Sequence, residues 1–169
     1  EANDRKQLLT NSISAFKEAL SILTDNRVRE GGMLAPLFEE RLTSIEEIVA
    51  SVRVQLPSIL QKQSDNIRAR FDAASVELDN TRLEQELVIL AQKSDVDEEL
   101  DRLSAHVVEV RSVLKKQQPV GRRLDFLMQE LNREANTLSS KSIVTDTTKA
   151  AVDLKVLIEQ MREQVQNVE

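Results

Sequence analysis

The chain has 169 residues, 40% hydrophobic and 31% charged, with a formal net charge of −6. A globular chain of this length buries roughly 70% of its unfolded surface, enough for one domain or two small ones. With no cysteine, one histidine, no Trp or Tyr and three glycines, the chain has no thiol chemistry and no multi-His metal centre. It also has little material for aromatic base-stacking platforms or phosphate-cradling glycine loops.

Apolar residues recur at helical spacing nearly throughout. Leu9, Ile13, Phe16, Leu20 and Leu23 step by 4, 3, 4 and 3. Gly31 and Gly32 are expected to stop that helix. A second stripe runs through Leu34, Phe38, Leu42, Ile45, Val49, Val52 and Leu56. Pro57 is expected to break it or to sit in the first turn of the next helix. A third stripe takes in Leu60, Ile67, Phe71, Ala74 and Leu78, and Leu83, Leu87 and Leu90 carry on after Asn80. Ser94 to Asp97 reads as an N-cap for a helix bearing Leu100, Leu103, Val107, Val110 and Leu114. Pro119 and Gly121 mark a junction before Leu124, Leu127, Leu131 and Leu138. A polar break at 139–148 precedes Leu154, Ile158, Met161, Val165 and Val168.

The expected fold is therefore all-α, with six or seven helices and no strand. Alternating steps of 3 and 4 predict long antiparallel helices in hairpins or a bundle, with coiled-coil-like seams. A soft boundary at 79–82 divides a helical hairpin region, 1–80, from a C-terminal helical domain, 81–169. The longest apolar run, Leu87 to Ala91, is five residues, far short of a membrane span. No signal peptide is legible at the N-terminus. A cytoplasmic fragment of a longer protein is the expectation.

Three polar constellations in the second half could carry chemistry. In 121–142, Glu130 and Glu134 stand one turn apart on one helix face, with Gln129, Asn132, Arg133 and Asn136 close by. Such carboxylates suit Mg²⁺ or Mn²⁺, or simply form a solvated, salt-bridged face. In 95–106, Glu99, Arg102 and His106 line one side of a helix. A carboxylate that orients a histidine can make it a general base or acid, although a lone helical histidine is more often structural. From Arg111 to Arg123 there are five positive charges and no acid. Lys115, Lys116, Arg122 and Arg123 make this a candidate phosphate-binding patch or an ordinary basic loop. At the C-terminus, Lys155, Glu159, Arg162 and Glu163 pair at helical spacing, which usually means helix support alone.

Three stretches carry a resemblance. RLEQELVILAQKSDVDEELDRLSAHV, PVGRRLDFLMQELNREANTLSSKS and DLKVLIEQMREQVQNVE closely resemble the C-terminal domain of the YicC/YloC family. EGGMLAPLFEERL and LPSILQKQ resemble its central helical segment. The resemblance implies a bacterial, stress-associated, metal-dependent endoribonuclease, a hexamer when intact, acting on small or structured RNA. It also implies a mixed α/β domain preceding these helices, without which the fragment is expected to be incomplete. The family motif falls on Asp95, Glu98, Glu99, Arg102 and His106, on positions of 121–142 including Arg122, Arg123, Glu130, Arg133, Glu134 and Lys141, and on Lys155, Glu159, Arg162, Glu163, Gln164 and Asn167.

The expected chemistry combines the resemblance with the residues. Glu130 and Glu134, with Glu99, would hold Mn²⁺ or Mg²⁺. His106 would move a proton, and Lys115, Lys116, Arg122, Arg123, Arg133 and Lys141 would hold RNA phosphates. A metal-free alternative has His106 activating the RNA 2′-OH. The rival classes are a non-catalytic oligomerisation or adaptor module and an RNA-binding regulator. The partners expected are RNA and further copies of the chain, with no membrane.

Overall fold

The computed structural model describes residues 2–73, 80–93, 95–116, 118–142 and 144–166. Among them are five helices and no strand: α1 (Ala2–Ala73), α2 (Asn80–Lys93), α3 (Asp97–Leu114), α4 (Gly121–Lys141) and α5 (Thr145–Val165). The all-helical expectation holds and the number of helices does not, because α1 runs without interruption for 72 residues. Gly31 and Gly32 cost helix propensity, roughly 1 kcal/mol each, but they do not end the helix. Pro57 lies on the exposed side of α1, so the carbonyl it leaves unbonded faces water. Around it, Ser58 Oγ donates to the Gln55 carbonyl at 2.8 Å and Gln55 Nε2 donates to Ser51 Oγ at 2.9 Å. A proline on the wet face thus leaves the helix undivided.

The chain separates into two compact units, residues up to Phe38 and residues from Glu39 onward. In the first, the stripe of Leu9, Ile13, Phe16, Leu20 and Leu23 is 48–68% exposed. The predicted boundary at 79–82 lies at the start of α2 and partly outside the described residues, as do Ala74 and Leu78 of the third stripe, the Ser94 cap residue, and Asn167 and Val168.

The second unit is built on an antiparallel bundle. α3 packs on α4 and α4 on α5, joined by short connections. The rest of α1 closes the bundle opposite α4. Arg53 of α1 binds Asp101 near the start of α3 at 2.7 Å, and Arg111 near its end binds Glu39 and Glu46, so α1 runs antiparallel to α3. Arg41 donates to Gln160 of α5 at 3.1 Å. Inside lie Leu42, Ile45, Val49, Val52, Leu56 and Ile59 of α1 and Leu100, Leu103, Val107 and Val110 of α3. Leu124, Leu127, Leu131, Ala135 and Leu138 of α4 and Ala151, Leu154, Ile158 and Met161 of α5 complete the core. Most of these are predicted stripe residues, joined by Ile59, Ala135 and Ala151, whereas the predicted Leu60, Ile67, Phe71 and Leu114 are only half-buried.

Helix starts here rely little on side-chain caps. Val96, Val120 and Val144 occupy the three N-cap positions of α3, α4 and α5 and make no side-chain cap bond. The acidic first turn of α3, Asp97, Glu98 and Glu99, instead complements the positive end of the helix dipole. Among the described residues no helix is long and apolar enough to cross a membrane.

Candidate functional site

One edge of the contact between α3 and α4 is polar along its whole length. On α3, Glu99, Arg102, His106 and Glu109 follow one another at steps of 3, 4 and 3, the period that places them in one column. On α4, Arg123, Glu130, Glu134 and Lys141 form the facing column at steps of 7, 4 and 7. Because the helices are antiparallel, the first residue of one column meets the last of the other.

The outer rungs are ion pairs. Lys141 Nζ donates to Glu99 Oε1 and Oε2 at 3.0 and 3.2 Å and to the Asp95 carbonyl at 2.7 Å. At the other end Arg123 binds Glu109, and its guanidinium lies 5.2 Å from the centre of the Phe126 ring. Next inward, Arg102 holds Glu98 at 2.5 Å and approaches Glu134 at 3.6 Å. Glu134 is buried, with 4% of its side chain exposed. A buried carboxylate needs a charged or hydrogen-bonding partner, and Arg102 is the cation nearest to hand.

The middle of the seam has a different composition. His106, Glu130 and Glu134 each bring a donor atom to within 4.8 Å of the others. His106 and Glu130 are half-buried and Glu134 is buried, so part of the group stays within reach of solvent. An imidazole nitrogen and two carboxylates form a mixed nitrogen–oxygen donor set. Mn²⁺ suits such a set well, and the carboxylates alone would also suit Mg²⁺.

Several predicted site residues lie elsewhere. Glu99 is not beside His106. The two are seven residues apart on α3, about 10 Å along the axis, and Glu99 is taken up by Lys141. The structure thus brings Glu130 and Glu134, but not Glu99, together with His106, and pairs Lys141 with Glu99. Arg123 is likewise engaged with Glu109 and Phe126. Arg111 joins α3 to α1 through Glu46 at 2.5 Å and Glu39 at 2.8 Å. Its hydrogen bond to Glu46, then that to Glu39, raises its pKa above the ordinary arginine value despite partial burial. Lys115, Lys116, Arg122 and Arg133 are exposed and make no ion pair among the described residues. Sequence reasoning missed Glu109 and Phe126. Glu109 was findable, since it continues the step that placed Glu99, Arg102 and His106 on one side.

A family model described as endoribonuclease YicC-like, C-terminal, matches residues 52–169. The chain belongs to the YicC-like family. A probable endoribonuclease YicC from Haemophilus influenzae is 50% identical over all 169 residues of the chain, which cover 59% of that protein. A probable endoribonuclease YicC from Clostridioides difficile is 32% identical, again over the whole chain and 59% of its own length. The chain thus spans about three fifths of the curated relatives it matches. The YicC-like match takes in α2 to α5 and the last third of α1, and so contains the whole polar seam.

Proposed function

We propose that this chain carries the metal-binding and phosphodiester-binding part of an endoribonuclease that cuts small or structured RNA. The observation that carries the proposal is the meeting of His106, Glu130 and Glu134 in the middle of the α3–α4 seam. It is supported by the names of the relatives, each a probable endoribonuclease.

Glu130 and Glu134, with the His106 imidazole, are the residues that would hold a divalent cation, Mn²⁺ or Mg²⁺. A divalent cation bound there supplies Lewis acidity toward a phosphoryl oxygen and lowers the pKa of a coordinated water. The chain's own residues do the rest. Arg102, itself half exposed, lies 3.6 Å from the buried Glu134 carboxylate and offsets its charge. Arg122 and Arg133 stand on the exposed ridge of α4 with their donors uncommitted, so they suit the phosphates of a bound strand. Lys115 and Lys116 extend that positive surface past the end of α3. If the two carboxylates alone held the cation, His106, half-buried beside them, would be left free to hold or move a proton at the reacting oxygen.

The test is cleavage of a structured small RNA by the chain with Mn²⁺ or Mg²⁺, beside an EDTA control and the variants Glu130→Gln, Glu134→Gln and His106→Ala. Metal-dependent cleavage that each variant reduces at least 100-fold is the expected result. Cleavage that survives EDTA and leaves a 2′,3′-cyclic phosphate would instead make His106 the base for the RNA 2′-OH, without a metal.

A second reading is a non-catalytic interaction module. The exposed apolar stripe of residues 9–23 favours it, and it predicts a chain that neither binds nor cuts RNA.

A further inference from the structure

The composition argues against base stacking, yet one aromatic side chain stands where stacking would serve the proposed site. The chain has four phenylalanines. Phe38 is buried and Phe71 half-buried. Phe16 is exposed among apolar neighbours, Ile13, Leu20 and Leu23. Phe126 differs from all three. It is 45% exposed and lies on α4 one turn before Glu130, about 6 Å along the axis.

Its surroundings are polar. Arg122 precedes it by four residues, Gln129 follows by three and Arg133 by seven. At 100° per residue these four side chains fall within about 60° of one another on the outer ridge of α4. All are exposed, and neither arginine makes an ion pair among the described residues. An aromatic ring left in water forgoes the stabilisation of burial. A protein partner covering it would have to desolvate two arginines and an amide along with it, at a cost. A nucleotide meets both demands: its base covers the ring and its phosphates take the guanidinium groups. The Arg123 guanidinium, held by Glu109 and lying 5.2 Å from the ring centre, restrains the ring from one side by a cation–π contact.

We propose that Phe126 is a stacking platform for one unpaired base of the RNA, with Arg122 and Arg133 holding the flanking phosphates. The inference rests on the endoribonuclease reading and adds a substrate class to it. A base can lie flat on Phe126 only if it is out of a duplex, so the strand at the His106–Glu130–Glu134 group is a loop, bulge or single-stranded end. Phe126 is a positioning residue rather than a catalytic one.

The chain has no tryptophan, so Phe126→Trp introduces a single fluorophore at the platform. Binding is measured in EDTA, which keeps it separate from cleavage. The probes are a short RNA hairpin with an unpaired loop, the same hairpin with abasic loop positions, and a fully paired duplex. The intact hairpin is expected to quench the tryptophan emission, and the abasic hairpin and the duplex to leave it largely unchanged. Phe126→Ala is expected to weaken hairpin binding roughly 5- to 100-fold. Phe126→Leu, apolar but without a π-face, should behave like Phe126→Ala, and Phe126→Trp should bind like the wild type. Thermal melts of the variants should match the wild type, since the side chain is half exposed.

Wild-type binding by Phe126→Ala or Phe126→Leu, or a tryptophan that the hairpin does not quench, overturns the platform while leaving the endoribonuclease reading in place. The same holds if Phe126→Ala alters sedimentation but not RNA binding, which makes the ridge a protein contact. If Phe126→Trp is quenched but the wild-type chain cuts no RNA in Mn²⁺ or Mg²⁺, the nuclease reading fails and the platform stands as an RNA-binding site. A wild-type chain that binds no RNA overturns both.

Discussion

Lys141 and Glu99 form an ion pair on which the fold depends. Glu99 keeps only 5% of its side chain exposed and is matched by one amine. Removing that amine strands a buried carboxylate, which costs far more than an exposed ion pair is worth. Lys141→Met is expected to destabilise the chain by about 3 kcal/mol, read as a lower midpoint in urea unfolding. The double variant Glu99→Leu/Lys141→Met should recover most of that loss, because neither charge is then left alone. The Mn²⁺ binding proposed for His106, Glu130 and Glu134, followed by titration, should persist in the double variant. The reverse holds for Glu134→Gln, which removes a charge from the proposed cation group and should abolish Mn²⁺ binding with a smaller loss of stability. Which carboxylate plays which part was not legible in the sequence. Glu99, Glu130 and Glu134 all sit at helical spacing from polar neighbours, and only the pairing of α3 with α4 decides that Lys141 answers one of them and His106 the other two.

At the scale of the element, α1 shows the limit of local signals. A Gly-Gly pair and a proline are strong punctuation in a sequence: the one predicts a helix end, the other a break or the first turn of a new helix. The helix survives them because each is exposed and because propensity terms of about 1 kcal/mol yield to the rest of a long helix. Apart from its chain neighbours and the helix's own backbone, a Cβ at Gly31 or Gly32 would meet nothing within 4 Å. Gly31→Ala and Gly32→Ala are therefore expected to strengthen this stretch by roughly 0.5–1 kcal/mol each. Amide hydrogen exchange over residues 25–38 should slow correspondingly, with the C-terminal bundle unaffected. The amphipathic stripes of α3, α4 and α5 were legible for the opposite reason. There the 3–4 spacing and the tertiary packing agree, and the predicted residues Leu103, Leu131 and Ile158 are fully buried.

At the scale of the whole molecule, the hydrophobic pattern does not distinguish a buried stripe from an exposed one. Leu9, Ile13, Phe16, Leu20 and Leu23 have the same period as the core of α3, yet they face solvent. Periodicity defines a face, and only the topology says what covers it. The difference is measurable. Leu131→Ala should cost about 2–5 kcal/mol through transfer and cavity terms. Ile13→Ala should stay within about 0.5 kcal/mol in the same urea titration. An equal loss at both positions would mean that the stripe at 9–23 is covered in solution.

The polar seam is made from two uninterrupted helices rather than from loops, and this governs which length changes the gene can tolerate. One residue inserted between Arg102 and His106 turns everything beyond it by about 100° and takes His106 away from Glu130 and Glu134. Seven residues added to α3 and α4 at matching depths return each column to nearly its former bearing. Insertions in the 115–120 connection change neither column. Relatives should therefore differ in length at that connection freely, within the paired helices by whole heptads, and between Arg102 and His106 not at all.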